Sequence, residues 1–505
     1  MKILLNHETH KTCRGRTAGR PTGQVQITMI DTASAITALF EAMPILDFIC
    51  RDNNAYLVGG AVRDILMGRI PTDYDIVVPE DPKALAKSLA CIGGSFFKMG
   101  KNRQAVLRGQ FKDYTIDMVQ MEGGSIESDL RLRDFTINAM AIRLDNRSFL
   151  DPMQGQKDLA NKTIRMVSEQ AFLRDPLRLL RTYRFAATLD FEIETRTESA
   201  VKTHGHFIDR PAGERIREEM IKLLAAPCAG EYLQKMSDSG LLFNLFPEIA
   251  AEFACTQNHH HRFNVLDHTL NACRHLESFL NGKDIEGNDS LQIAINGIDG
   301  RMKPLMKLAM LLHDIGKPLT RSVDPAGAVH FWGHEKKGAE LAKEILTRLK
   351  FSSKDTEYLC LLIQNHLRPV LLYQAHQNQT LTRKGIVRFF RSLTIDETGH
   401  APDLLIHALA DACAKTEKVC DIDPSFLCFI GDILKSYFQD FVPRKRETPL
   451  INGHDLITLF GLKPSATFKI ILDVVEEARL LQTLASREDA LTLVRRWLLS
   501  NGKGF

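Results

Sequence analysis

The sequence has no run of about 18 consecutive apolar residues, and its ten cysteines form no CxxC pair. The first absence argues against a membrane-spanning helix. Cysteines scattered in this way are typical of reduced thiols in a cytosolic chain and not of a disulfide framework. The opening stretch, MKILLNHETHKTCRGR, has too short an apolar core for a secretory signal, so we expect a cytoplasmic protein without a membrane partner.

A large excess of charge of one sign is also missing, because the 505 residues carry a net charge of only +3. The excess is local: residues 1–28 hold five Lys and Arg side chains against one acid, Glu8. Net charge therefore neither favours nor excludes a nucleic-acid partner. Residues 1–28 also lack apolar periodicity, and three interpretations remain open for them: a flexible basic tail, an over-long start with Met29 as the true first residue, or a nucleic-acid-binding arm.

Length and patterning predict three or more domains, at about 100–200 residues per domain. Residues 50–150 alternate short β-rich runs with helical stretches, which indicates an α/β domain. The predicted elements are strands at 55–58, 75–78, 106–109 and 114–119 and a helix from Pro82 to Leu89 capped by Asp81. Beyond about residue 169 periodic apolar helices dominate, and they are interrupted by loops, notably at 281–300 and 442–449.

A Gly-Gly turn lies between the first predicted strand and a predicted helix, at Gly59 and Gly60. Glycines there let backbone N–H groups approach a triphosphate, and Arg63 lies one helical turn further on. Alone, this pattern is weak, since a plain strand-to-helix turn explains it as well.

Asp73 and Asp75 make the turn more informative. Residues i and i+2 of a strand point to the same face, and two like charges there repel unless a cation lies between them. Asp117, inside the apolar run YTIDMV, is a candidate third carboxylate. Three carboxylates indicate a catalytic Mg²⁺ site suited to two-metal phosphoryl or nucleotidyl transfer. A solvated strand end is the alternative.

Four motifs, in this order along residues 50–225, resemble those of class II tRNA nucleotidyltransferases and bacterial poly(A) polymerases. They are Gly59-Gly60-x-Val62-Arg63-Asp64 with Asp73-x-Asp75; Arg133-Asp134-Phe135-Thr136-Ile137-Asn138-Ala139; Asp175-Pro176-Leu177-Arg178 continuing to Arg181 and Arg184; and Glu214-Arg215-Ile216 with Glu218 and Lys222. The resemblance implies an enzyme that adds nucleotides from CTP and ATP to an RNA 3′ end without a nucleic-acid template.

The resemblance also implies which residues bind the nucleotide: Gly59, Gly60, Arg63, Arg133, Asp134, Asn138, Asp175, Arg178, Arg181 and Arg184. Asp175 and Arg178 are expected to read the base edge. A carboxylate accepts from the amino group of C or A and a guanidinium donates to the adjacent ring nitrogen, whereas U and G would leave buried groups unpaired. The spacing of Arg174, Arg178, Arg181 and Arg184 predicts that all four share one helix face.

The sequence departs from the family pattern in three places. Leu132 stands where members often have an Arg, and Arg174 stands where many have the Glu of the selection motif. Only 16 positions separate Asp117 from Arg133, where many CCA-adding members carry a longer loop. Addition of CCA, of CC, of A and of poly(A) therefore all remain open.

A second set of residues follows in the helical part. His313-Asp314 ends the apolar helix PLMKLAMLL, and Asp411 lies within another apolar stretch. Buried imidazole and carboxylate groups are costly unless they are paired or bound to a metal. With His268, His334 and His366 the set resembles the HD phosphohydrolase domain over about residues 255–420. This implies one metal at His268, His313, Asp314 and Asp411 and a second near His334 and His366, with Mn, Fe, Ni or Zn favoured and Mg or Co as alternatives.

The predicted fold class is α+β. Its expected segments are a flexible basic tail (1–28), an α/β nucleotidyltransferase head (29–160), an all-α neck that selects nucleotide and RNA (161–250), an HD domain (251–440) and a helical tail (441–505). The predicted function is a Mg²⁺-dependent tRNA nucleotidyltransferase that builds or repairs the 3′-terminal CCA of tRNA, with an HD phosphohydrolase attached. The alternatives are a poly(A) polymerase, a partial CC- or A-adding enzyme, or, in another class, a phosphohydrolase that binds RNA. The pattern does not predict the oligomeric state.

Overall fold

The computed structural model describes residues 31–49, 54–99, 106–111, 114–253, 255, 264–285, 287–395, 398–415 and 423–501. The interpretations of residues 1–28 lie outside this part of the chain. Two compact units are present: one runs to Leu130 and takes in Ile137–Gln156, and the other combines Arg131–Thr136 with the chain from Lys157 onwards. No helix in the described part is long and apolar enough to cross a membrane.

The strands are mostly in the first unit. They are β1 (Tyr56–Val58), β2 (Asp73–Val78), β3 (Ser95–Met99), β4 (Val106–Phe111), β5 (Tyr114–Gln120), β6 (Ala141–Arg143), β7 (Phe149–Leu150), β8 (Thr163–Ile164), β9 (Glu192–Ile193), β10 (Ser322–Val323), β11 (Val329–His330), β12 (Thr394–Ile395) and β13 (Thr398–Gly399).

Seven of these strands form one sheet, in the order β3-β4-β5-β2-β1-β6-β7. β2 and β5 are parallel neighbours, while β1 pairs antiparallel with both β2 and β6. Along β2, Tyr74, Ile76 and Val78 are buried, whereas Asp73 is exposed and Asp75 half-buried. The alternation of the strand thus buries one apolar face and leaves the two acids together on the other.

The helices of the first part of the chain are α1 (Thr32–Ala42), α2 (Ile45–Ile49), α3 (Gly60–Leu66), α4 (Lys83–Ala90), α5 (Ile126–Leu130) and α6 (Gly155–Ala160). Those of the neck region are α7 (Glu169–Arg174), α8 (Leu177–Leu189), α9 (Thr195–His204), α10 (Gly213–Leu224), α11 (Ala229–Asp238), α12 (Leu241–Leu245) and α13 (Pro247–Phe253). Short 3₁₀ segments occur at Thr136–Asn138 and Gly205–Asp209.

The remaining helices are α14 (Val265–Leu280), α15 (Asp289–Asn296), α16 (Met302–Leu312), α17 (Lys317–Thr320), α18 (His334–Arg348), α19 (Ser353–Asn365), α20 (Arg368–Gln377), α21 (Arg383–Ser392), α22 (Ala401–Cys413), α23 (Pro424–Ser436), α24 (Val442–Lys445), α25 (Gly453–Phe460), α26 (Ala466–Leu480) and α27 (Arg487–Ser500). A π-helical turn, Tyr437–Phe441, precedes α24.

The helix α22 is the centre of the second unit. Residues 401–411 are buried without interruption, as expected of a helix enclosed on all sides. It packs against α14, α16 and α19, and α16 lies between α14 and α19. The last three helices form a smaller core of their own, built on Leu456, Ile471 and Val494.

Several local expectations need correction. The loop predicted at 281–300 contains α15, because the Asn288 side chain caps the helix and its apolar face is buried. The strands β3, β6 and β7 were not predicted. The predicted helix at Pro82 begins one residue later, at Lys83, although Asp81 does accept a hydrogen bond from the Lys83 N–H (3.0 Å).

A close backbone crossing at Gly316 yields a testable prediction. A Cβ added at Gly316 would overlap the His334 carbonyl oxygen and come within 2.6 Å of the Gly338 nitrogen, both backbone atoms of α18. We expect Gly316→Ala to push α18 away and to destabilise the second unit by about 1–3 kcal/mol, seen as a lower Tm in thermal unfolding followed by circular dichroism. The matched control is Gly300→Ala, because nothing lies within 4 Å of the Cβ position there. Equal Tm values for the two variants would contradict the predicted crossing.

Candidate active sites

The three predicted catalytic carboxylates lie on one face of the sheet. Asp73 and Asp75 are two residues apart on β2, and Asp75 is directly in register with Asp117 on the parallel neighbour β5. Register partners on adjacent strands project to the same side, so the three acids face the same way.

Arg108 on β4 is the counter-charge that the structure places against this face. Its Nε donates to Asp117 Oδ1 (2.8 Å) and its Nη2 to Oδ2 (2.6 Å). This bidentate bond, together with the charges of Asp73 and Asp75, raises the pKa of Arg108. The oxygen donors of the acids fit the preference of Mg²⁺ for hard ligands.

The Gly-Gly turn is built as the sequence predicts. Gly59 has φ 74° and is the N-cap residue of α3, a conformation that favours glycine. Arg63 is buried; its Nη1 donates to Asn138 Oδ1 (2.7 Å), and its Nε and Nη2 donate to Asp64 Oδ1 (2.9 and 2.8 Å). Two predicted nucleotide-binding residues, Arg63 and Asn138, therefore hold each other in place.

The other predicted nucleotide-binding residues belong to the second unit. Asp134 is buried beside the half-buried Arg133, accepts from the Phe135 N–H (2.8 Å), and accepts from Arg181 Nε (2.9 Å) and Nη2 (2.6 Å). Arg184 Nε donates to the buried Glu219 (2.8 Å), which also lies 3.6 Å from Arg181.

The two residues expected to read the base have different partners. Arg178 Nη1 donates to the carbonyl oxygens of Leu132 (2.7 Å) and Ala171 (3.3 Å), and burial lowers the pKa of Arg178. Asp175 accepts from Arg215 Nη1 (3.2 Å) and Nη2 (2.8 Å). Asp175 and Arg178 are thus each held by other groups of the same unit.

One expectation for this region is wrong in detail. Arg174 ends α7, Asp175 is extended at φ −141°, and α8 begins after Pro176, so Arg174 is not on the helix that carries Arg178, Arg181 and Arg184. A residue before proline is disfavoured in the α region, which explains the break. In the fourth motif the buried acid is Glu219, whereas Glu218 is exposed.

The second predicted metal set forms a buried cluster, called here the HD cluster: His268, His313, Asp314, His334, His366 and Asp411. Around Asp411, His268 Nε2 is 2.8 Å and His313 Nε2 is 3.4 Å from Oδ1. Around Asp314, His313 Nε2 is at 3.2 Å and His334 Nε2 at 3.4 Å, and the Nε2 atoms of His334 and His366 are 3.1 Å apart. Two groups within it, His268-His313-Asp314 and Asp314-His334-His366, have ligand atoms close enough to share an ion.

Helix ends orient three of these imidazoles. His313 and His366 cap the C-termini of α16 and α19, and His334 begins α18. In each, Nδ1 is 2.7–2.8 Å from the carbonyl oxygen three residues before it. With Nδ1–H donating to that carbonyl, the Nε2 lone pair faces the cluster, which is the arrangement that metal-binding histidines adopt.

The charge balance of the HD cluster fits a cation. Burial favours a neutral His313, but Asp314 and Asp411 outweigh it and raise the pKa of His313 to about 10. Lys317 Nζ is 2.6 Å from Asp314, and burial with the charge on His313 lowers the pKa of His366 to about 3. The protonated imidazole of His313 and the ammonium group of Lys317 neutralise the carboxylates, as a bound divalent cation would. Imidazole and carboxylate groups are also suitable ligands for such an ion.

Sequence reasoning missed several residues near these sites. Arg215 and Lys317 were not among the predicted site residues. Glu252 is fully buried, and burial with the charge of Asp314 raises its pKa to about 8. His407 is also fully buried, with its ring 5.6 Å from that of His313. His407 lies one helical turn before Asp411, and this spacing could have indicated it from the sequence. No feature of the sequence indicates Glu252.

Three family models match the chain. A model described as "Poly A polymerase head domain" matches residues 55–165, one described as "Probable RNA and SrmB- binding site of polymerase A" matches 190–253, and "HD domain" matches 259–414. These matches agree with the predicted order of head, neck and HD domain. The exact boundaries of the five predicted segments stay a prediction.

Curated relatives and solved structures match over most of the chain. An A-adding tRNA nucleotidyltransferase of Deinococcus radiodurans is 33% identical over 454 residues, covering 88% of this chain and 95% of the relative. A CC-adding tRNA nucleotidyltransferase of Thermus thermophilus is 30% identical, with 88% and 94% covered. A Thermotoga maritima CCA-adding enzyme complexed with tRNA has the same fold, with TM-score 0.59, 21% identity, and 93% and 99% covered.

These findings confirm both the predicted family and the predicted fold class, a mixed α/β head followed by helical regions. The family is a metal-dependent one, which agrees with the two groups of candidate metal ligands within the HD cluster. The chain belongs to the tRNA nucleotidyltransferase family.

Proposed function

We propose that this protein extends or repairs the 3′-CCA end of tRNA from CTP and ATP, with Mg²⁺ held by Asp73 and Asp75. The observation that carries the proposal is the alignment of Asp73, Asp75 and Asp117 on one face of β2 and β5. The relatives named for tRNA nucleotide addition support the same reaction, as do the solved enzymes with bound CTP or ATP.

The contacts of the residues around this site indicate their roles in the proposed reaction. Bound Mg²⁺ would activate the RNA 3′-hydroxyl and neutralise the triphosphate and its leaving group. Arg108 orients the Asp117 carboxylate through two hydrogen bonds, and Asn138 holds the guanidinium of Arg63 in place. The carbonyl oxygens that bind Arg178 Nη1 orient its plane, so we assign its other N–H groups to the base edge.

The second candidate function is partial addition, of CC alone or of A alone. Only 12 residues lie between the end of β5 at Gln120 and Arg133, and five of them form α5. The relatives from Deinococcus and Thermus are named A-adding and CC-adding enzymes. Incubation with tRNA lacking CCA, CA or only A, with CTP and ATP supplied separately, distinguishes complete from partial addition.

For the HD cluster we propose metal-dependent hydrolysis of phosphoesters. The support is the buried set of four imidazoles and two carboxylates, three of whose imidazoles present Nε2 to the centre. The cluster would hold a divalent transition metal or Mg²⁺, and a bound ion supplies a water of lowered pKa. A phosphohydrolase that merely binds RNA is disfavoured by the intact acids of the head. A cytoplasmic location stays a prediction.

The first functional prediction concerns the β2 acids. We expect Asp73→Ala to reduce nucleotide addition by at least about a hundred-fold, because a bound metal contributes several kcal/mol to phosphoryl-type transition states. Addition of radiolabelled CTP and ATP to tRNA measures the effect. Glu80→Ala is the matched control, since Glu80 is an exposed acid just beyond the other end of the same strand. Near wild-type addition by Asp73→Ala would refute the proposed metal site.

Base choice is tested at Arg178. Loss of a charge-assisted hydrogen bond costs about 1.5–3 kcal/mol, so Arg178→Ala should reduce CTP and ATP use about ten- to a hundred-fold and weaken discrimination against UTP and GTP. Competition assays with mixed nucleotides give the ratio. Arg196→Ala, at an exposed position of α9, controls for lost positive charge. An unchanged nucleotide preference would argue against base reading by this residue.

A substitution in the HD cluster should abolish phosphoester hydrolysis and leave nucleotide addition intact. We expect His313→Ala to lose bound divalent metal, measured by mass spectrometry after dialysis, and to lose hydrolysis of a generic phosphodiester assayed in turn with Mn²⁺, Ni²⁺, Co²⁺ and Mg²⁺. Nucleotide addition should persist, because the two ligand sets share no residue. His376→Ala, an exposed histidine of α20, is the control. If His313→Ala instead abolishes tRNA extension, the proposed independence of the sites is wrong.

A further inference from the structure

Phe97 is an exposed aromatic residue in the middle of β3. Its side chain is 58% exposed, and among the described residues of the seven-stranded sheet it is the one large apolar side chain that is exposed. Single exposed apolar groups are common on protein surfaces, so exposure alone would indicate nothing. The position of Phe97 within the sheet makes it informative.

Strand register places Phe97 in one row with the predicted catalytic acids. Phe97 pairs with Arg108 on β4, and Arg108 pairs with Asp117 on β5. Asp117 in turn pairs with Asp75 on β2. Register partners project to the same face, and the hydrogen bonds between Arg108 and Asp117 show this directly for the middle pair. Because adjacent strands lie about 4.8 Å apart, Phe97 lies about 10 Å along this row from Asp117 and about 14 Å from Asp75.

The neighbouring Phe96 fixes the side of the sheet to which Phe97 projects. The ring of Phe96 covers Gly109, its register partner on β4, because a Cβ added at Gly109 would overlap that ring. Gly94 leaves room for the same ring, since a Cβ there would come within 2.5 Å of Phe96 Cε2. Successive residues of a strand alternate between faces. With Phe96 packed against two glycines on one face, Phe97 is held on the face that carries the acids.

Arg108 lies in the row between this aromatic ring and the acids, and its side chain is 44% exposed. A guanidinium has five N–H donors, and the hydrogen bonds to Asp117 use two of them. The other donors can bind an RNA phosphate, which guanidinium groups recognise well. The row therefore presents, in order, a ring that can bind a base, a cation that can bind a phosphate, and acids that can bind a metal.

Proteins bind unpaired RNA bases by stacking them on exposed aromatic side chains. We propose that Phe97 is the stacking platform for the 3′-terminal base of the RNA that is extended. This inference rests on the nucleotide addition proposed above, which brings the RNA 3′-hydroxyl to the metal at Asp73 and Asp75. The base of the incoming nucleotide is assigned to Asp175 and Arg178, so Phe97 binds the other reactant. Stacking tolerates any base, so the same ring can bind each new 3′ end as the RNA grows.

Binding is measured first, as a cycle that removes the ring and the base in turn. The two probes are a tRNA without CCA and the same tRNA whose 3′-terminal nucleotide lacks its base, and Kd is measured by filter binding without CTP or ATP. Stacking on one base corresponds to roughly a five- to a hundred-fold change in Kd, so Phe97→Ala should weaken binding of the intact tRNA by that factor. It should leave the Kd of the abasic tRNA unchanged. Equal weakening for both probes, or for neither, would overturn the inference.

Kinetics then separates stacking from a structural role. Phe97→Ala should raise the KM for tRNA by the same factor and leave kcat and the KM for CTP unchanged. Phe97→Trp should retain the affinity for tRNA, whereas Phe97→Leu, which keeps an apolar side chain without an aromatic ring, should resemble Phe97→Ala. Ile92→Ala is the matched control, because Ile92 is an exposed apolar residue that precedes β3 and lies outside the sheet. An equal rise in the KM for CTP would assign Phe97 a structural role and overturn the inference.

The outcomes distinguish this inference from the proposed function. If wild type adds no nucleotide to any tRNA but the binding cycle still couples the base to Phe97, the proposed addition fails and the platform stands. If addition proceeds and Phe97→Ala leaves tRNA binding and KM unchanged, the platform is wrong and the addition stands. A strand at the end of a sheet can also pair with another chain, so the sedimentation of wild type and Phe97→Ala is compared. Loss of a dimer in the variant would assign Phe97 to a protein contact and overturn the inference.

Discussion

A carboxylate held out of water is either matched by a positive charge or takes up a proton, and the acids of the candidate sites are matched by positive charges. The pairs are Asp117 with Arg108, Asp134 with Arg181, Glu219 with Arg184, Asp175 with Arg215, and Asp314 with His313 and Lys317. Strands and helices place the acids, and the cations donate hydrogen bonds to their carboxylate oxygens.

Asp175 and Arg178 each have partners within the protein and also a role in the proposed reaction. Asp175, which we expect to read the base, accepts from Arg215, whose side chain is about half exposed. Arg178 is held through one nitrogen by backbone carbonyl oxygens. Because those carbonyls belong to Leu132 and Ala171, the segment before Asp134 and the end of α7 set the plane with which we expect the base to be read.

The HD cluster illustrates a different use of the same constraint. Three of its histidines sit at helix ends, where a carbonyl oxygen three residues earlier lies within hydrogen-bond distance of Nδ1 and Nε2 faces the cluster. Asp411 comes from α22, the most enclosed helix of the unit, so its charge has little access to water. Gly316 allows α18 to approach the loop after Asp314, which brings His334 beside that acid.

Much of this could be predicted from the sequence because the motifs act locally. Two acids at i and i+2 share a strand face in any sheet, a Gly-Gly turn needs only its own backbone, and His313-Asp314 are neighbours in the chain. Partners far apart in the chain were beyond such reasoning. Arg108 meets Asp117 through strand pairing, Arg215 reaches Asp175 across 40 positions, and Glu252 is buried by packing alone. The sequence by itself determined which chemistry each segment carries. Only the tertiary structure decided which charges neutralise one another, because that depends on strand register and helix packing.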